Sequence, residues 1–116
     1  MEQKTIRFRN AFTALANTDL TTVYTCPSNI VGVIKEIIVC NVDGSASADI
    51  TLKITDTSAT TTFSIVSTKA VANDDFLRID TANIALEQGD ILKAQASAGG
   101  DLEVSVFIEE HYDPTR

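Results

Sequence analysis

The stretch "ALEQGDILKAQASAGGDLEVSVFIEEHY", residues 85–112, decides the fold. Gly89-Asp90 marks a turn leading in, and Gly99-Gly100 divides the rest into two extended runs. In "DLEVSVFIEE", Leu102, Val104, Val106 and Ile108 alternate with Glu103, Ser105, Phe107 and Glu109. Successive side chains of an extended chain point to opposite sides, so a period of two describes a strand with one buried and one wet face. Phe107 breaks the pattern, because it puts an aromatic ring on the wet side. An apolar group there is covered either within the domain or by another subunit.

The same period runs outward through the chain. In "ADITLKITD", Ala48, Ile50, Leu52 and Ile54 alternate with Asp49, Thr51, Lys53 and Thr55. "TIRFR" sets Ile6 and Phe8 against Arg7 and Arg9, and "TTVYT" is β-branched and aromatic up to Pro27. "TTFSIVST", "DFLRID" and "DILKAQAS" are further strands, with "CPSN", "DGSAS" and "AND" as turns between them. Only "NAFTALAN", residues 10–17, suits a helix, of barely two turns. About eight short strands at intervals of roughly 8–12 residues predict an all-β fold, a single antiparallel β-sandwich, jelly-roll-like or immunoglobulin-like. No linker or internal repeat divides it. Residues 1–10 read as a basic arm or first strand, and residues 11–116 as the sandwich.

The run "IVGVIKEIIVCNV", residues 30–42, predicts a long buried strand. Read with strict alternation, one face carries Val33, Lys35, Ile37, Val39 and Asn41, and the other Ile34, Glu36, Ile38, Cys40 and Val42. Both faces are apolar over residues 37–40, which again calls for cover on both sides.

The chain has 116 residues, enough for one core without staples, and a net charge of −7. Such a charge disfavours a phosphate backbone or an anionic membrane as partner. The first ten residues have no apolar core of a secretory signal, and no apolar run approaches the roughly 20 residues of a membrane-spanning helix. Two cysteines, Cys26 and Cys40, exclude a disulfide-dense scaffold; they read as free thiols of a reducing cytoplasm, with a single bridge between neighbouring strands as the alternative.

A histidine-based enzyme would have to use His111, the single histidine, next to Glu109, Glu110 and Asp113. Neighbouring side chains of a strand diverge, so Glu110 and His111 do not converge. The expectation is a solvated, functionally neutral tail, indifferent to alanine at Glu109, Glu110 or His111. No nucleophile elbow, HExxH or phosphate-cradling glycine loop is present. Asp74, Asp75, Asp80, Glu87 and Asp90 fall on loops and strand ends and read as solvated acids rather than a Ca²⁺ site. The chain is therefore read as a non-enzyme with no catalytic residue, cofactor or metal. With no Trp and few aromatics in its loops, it has little to offer a sugar. The arm concentrates Lys4, Arg7 and Arg9 in an otherwise acidic chain, a pattern suited to docking on an acidic partner or a neighbouring protomer.

The order of these elements carries a resemblance. Tyr24-Thr25-Cys26-Pro27 precedes the strand Ile34 to Asn41; the turn Asp43-Gly44-Ser45 and a Thr-rich strand follow. "LEQGDILKA" and an alternating last strand close the chain. Over residues 20–109 this layout resembles small β-sandwich virion structural proteins of tailed bacteriophages, of the capsid decoration or cement type. Ser28-Asn29 departs from the small residues usual after the proline. The resemblance implies a protein made in the host cytoplasm that sits on the capsid surface of the virion, as a homotrimer. It would bind the major capsid protein and bridge its subunits. The alternative it implies is a tail- or fibre-associated structural or host-adhesion module. Partner-binding residues expected on this reading are Lys4, Ile6, Arg7, Phe8, Arg9 and Phe107.

Overall fold

A computed structural model describes residues 5–80 and 83–114. Nine strands make up these residues: β1 (Ile6–Ala14), β2 (Thr21–Thr25), β3 (Ile30–Asn41), β4 (Ala48–Asp56), β5 (Thr61–Val71), β6 (Phe76–Ile79), β7 (Ile84–Leu86), β8 (Ile91–Ala96) and β9 (Leu102–Tyr112). One antiparallel sheet runs β1-β9-β3-β6, with β7 also pairing along β3. The other runs β2-β8-β4-β5. The pairs are nested: β4 with β5, β3 with β6 and β7, β2 with β8, and β1 with β9. A long hairpin rolled up in this way drops alternate pairs into opposite sheets. The pairs β3–β9 and β4–β8 then complete the two sheets. This is a jelly roll, so of the two sandwich orders expected from the sequence the rolled hairpin is the one adopted.

The period-two residues form the core as expected. Leu102, Val104, Val106 and Ile108 of β9 face inward and are buried, opposite Ile50 and Leu52 of β4 and Leu92 and Ala94 of β8. In the first sheet, Val104 lies beside Val39, and Val106 beside Ile37.

Three expectations are corrected. Residues 10–14 are not helical: they continue β1, which pairs over nine residues with β9. Two turns of helix with no cap and a Phe and Thr inside are weaker than a full ladder of strand hydrogen bonds. Second, β3 does not alternate strictly. Its register with β9 shifts between Ile34 and Glu36, a bulge at Lys35. The core face is therefore Ile30, Gly32 and Ile34, then Ile37, Val39 and Asn41, while Ile38 and Cys40 turn outward. A single extra residue switches every side chain beyond it to the other face. Third, the C-terminal string is not a solvated tail. Through Tyr112, β9 is hydrogen-bonded on both sides, with His111 beside Ile6 and Val31.

Candidate assembly face

The outer face of the β1-β9-β3-β6 sheet follows from the registers. Its rows across β1, β9 and β3 are Phe12, Ser105, Ile38, then Asn10, Phe107, Glu36, then Phe8, Glu109, Val33. Phe76 adjoins Cys40 at the far edge. Phe107 meets Phe12 edge to face, with ring centroids 6.3 Å apart. Phe8 is 79% exposed, Phe12 68%, and Phe76 59%, whereas Phe107 and Ile38 are half-buried under these neighbours. Between the rings, Arg78 Nε lies 3.2 Å from Glu36 Oε1 and His111 Nε2 2.7 Å from Glu109 Oε1, while Glu103 is exposed between Ala14 and Cys40.

Expected contact residues divide between two places. Ile6, Phe8 and Phe107 lie on this outer face. Arg7 and Arg9 alternate to the inner side of β1, and Lys4 lies outside the described residues. There Arg7 Nε donates to Glu110 Oε1 at 2.7 Å, and Arg9 Nη1 lies 3.9 Å from the same oxygen. Glu110 is fully buried. Its other oxygen accepts from the Tyr24 hydroxyl at 2.5 Å. Burial, then the hydrogen bond to Glu110, push the Tyr24 phenol well above its usual range. Opposite Glu110 in the ladder stands Gly32, and a Cβ there would meet the Tyr24 hydroxyl at 2.9 Å. Glycine is needed at this position because an aromatic ring lies flush against the backbone.

Glu110 thus overturns its assignment to a neutral tail. The alternation 102, 104, 106, 108 continues to 110, and that periodicity was the signal for its inward position. Asp90 is likewise no solvated acid: it is buried and accepts from the Thr57 and Glu87 amides at 3.2 and 3.0 Å. Asp43 is half-buried and caps its own turn. The Ser45 amide and hydroxyl hold its carboxyl below the usual range.

Beside Glu110, Arg7, Thr5, Pro27, Ser28, Ile30 and Tyr112 line an open cleft of about 430 Å³. Among the described residues no three His, Cys, Asp or Glu side chains stand together as metal ligands. Cys26 is buried, with its thiol donating to the carbonyls of Ile30 and Leu86, and burial pushes its pKa up. Cys40 is a free thiol on the outer face.

No known protein family matches the sequence, and no curated protein matches it. Solved structures do. The acidic stable capsid of Helicobacter pylori bacteriophage KHP30 contains a chain with TM-score 0.55 and 9% identity, over 96% of this chain and 93% of that one. The disulfide-linked pili of Bacillus endospore appendages give 0.55 and 14%, over 97% and 91%. The virus-like particle of extra small virus from the prawn Macrobrachium rosenbergii gives 0.50 and 10%, over 96% and 80%. At these identities the likeness is one of fold: this chain is a jelly roll similar to those of two viral shells and a bacterial pilus.

Proposed function

We propose that this protein is a structural component of a virion, a decoration subunit that binds the outside of the capsid and bridges major capsid subunits. The carrying observation is the outer face of β1-β9-β3-β6, where Phe8 and Phe12 stand exposed beside Phe107 and Phe76 stands exposed at the far edge. Exposed aromatics gathered on one face of a finished jelly roll mark a protein contact. The jelly rolls of the phage and prawn-virus particles support a shell setting for that contact. The net charge of −7 fits a protein partner better than DNA or an anionic membrane.

On this reading Ile6, Phe8 and Phe107 are contact residues, and Phe12 joins them. Arg7 and Arg9 hold β1 against the sandwich through Glu110, so that the contact residues are presented on a fixed strand. Stabilisation of the shell comes from apolar area buried across each joint, repeated over many copies.

The test is the copy number of this chain in purified virions, relative to the major capsid protein. A ratio near that of the shell protein supports capsid decoration. A handful of copies per particle moves the protein to the tail or a fibre. Absence from the particle overturns the virion reading.

A further inference from the structure

We propose that the outer face of the β1-β9-β3-β6 sheet is covered by the same face of a second copy of this chain, packed sheet against sheet. The inference rests on the virion reading for its setting and refines it: the rings of each protomer meet the second copy, and the dimer meets the capsid by its other surfaces.

Size comes first. A phenylalanine presents roughly 150–250 Å² when fully exposed, so Phe8, Phe12 and Phe76 still offer roughly 400 Å² among them. Half-buried Phe107, Ile38, Val33 and Cys40 extend the patch between them. A specific contact buries about 800 Å² per partner, and one whole sheet face with this apolar centre is of that order.

Charge selects the partner. Two copies of a chain with net charge −7 repel each other over most orientations. On this face Glu36 is paired with Arg78 and Glu109 is hydrogen-bonded to His111, while Glu103 stands exposed toward one end, between Ala14 and Cys40. The two central rows are otherwise Asn10 and Phe107, and Phe12, Ser105 and Ile38. The centre of the face is thus apolar, with its acids paired or toward its ends, which is where two acidic copies meet at least cost. Its required complement, a flat apolar sheet face, is present on every other copy. The opposite sheet offers no such surface: Thr51 lies beside Gln95 there, and Lys53 beside Lys93. Two sheets packed about 10 Å apart interdigitate their side chains, and rings standing off the sheet supply that layer. Because the two surfaces are the same, the contact is isologous and closes at two copies, rather than at the trimer that the decoration-protein resemblance implies.

Light scattering and sedimentation of the purified full chain over micromolar concentrations test this. The expected mass is that of a dimer. Phe12→Asp, at an exposed position, weakens association tenfold or more while circular dichroism stays that of the wild type. Phe8→Ser acts in the same direction and guards against misfolding of the first variant. Thr51→Asp, on the opposite sheet, leaves the dimer intact. A monomer, a trimer, or a dimer indifferent to Phe12→Asp and Phe8→Ser overturns the inference. A monomeric chain found on virions at shell-protein copy number refutes the pairing and leaves the virion reading standing. A dimeric chain absent from virions does the reverse.

Discussion

The two outer faces of the sandwich obey one geometry and carry opposite chemistry. Beyond β4 and β8 stand Thr51, Lys53 and Thr55 beside Gln95, Lys93 and Ile91. All but Ile91 are groups water accepts, and Lys53 and Lys93 face each other as like charges. Beyond β9 stand Phe107, Phe12, Phe8 and Ile38. The core that folding needs is drawn from the inner faces of both sheets. The outer faces are free of that demand, so their difference reports on what the folded protein meets. One outer face is mostly polar; the other carries exposed rings.

Consecutive residues of one strand break the comparison most sharply. Ile37 points into the core and Ile38 to the outer face. Ile37→Ala is expected to cost about 2–5 kcal/mol in chemical denaturation, as a cavity in a packed core. Ile38→Ala in dilute protein costs less than about 1 kcal/mol. Equal losses would mean that the outer face belongs to the fold itself.

The next pair is Glu110 and Glu109. Glu110→Ala strands the buried Tyr24 hydroxyl and frees Arg7. About 3 kcal/mol is expected, most of it from the hydroxyl, because Arg7 is half exposed and screened. Glu109→Ala loses only a surface contact to His111 and stays within about 0.5 kcal/mol. A neutral Glu110→Ala would remove the clamp on β1 from the account.

Alkaline titration sharpens the same point. The Tyr24 phenol is raised in the folded state above its ordinary value of 10.0. Its contribution is therefore complete below about pH 10 and is lost as pH rises from there toward the folded value. Tyr24→Phe is expected to flatten that alkaline limb in pH-dependent unfolding, leaving a shallower decline from Cys26, whose pKa is also raised. An unchanged limb would detach it from Tyr24.

The smallest effect lies on the polar sheet. Lys93→Thr relieves a like-charge neighbour and is expected to shift stability by no more than about 0.5 kcal/mol, measured by thermal melting. A larger loss would mean that this face, too, is covered.

Much of the fold was legible along the chain. The alternation in β4 and β9 named both strands and their inward residues, and glycine and aspartate marked the turns. What escaped was whatever depends on a neighbour distant in sequence. Residues 10–14 extend because β9 lies beside them, and local propensity carries no trace of that pairing. The bulge at Lys35 reassigns Ile37 and Ile38 to opposite faces, and one residue of slip leaves no mark in a run apolar on both sides. At the contact face, Phe107 stood out by breaking its own alternation. Phe8 was expected there only as part of the basic arm, and Phe12 was not, since a ring on an edge strand reads equally as core.

Residue order alone determined the period of two, the turns, and thus an antiparallel sandwich, because side-chain alternation is a property of any extended backbone. Which strands share a sheet was decided only when the hairpin rolled up. Only then did Glu110 meet Tyr24 and Arg7, residues 86 and 103 positions away. Only then did phenylalanines from β1, β6 and β9 share one surface, because chain connectivity says nothing about which edges meet once loops close.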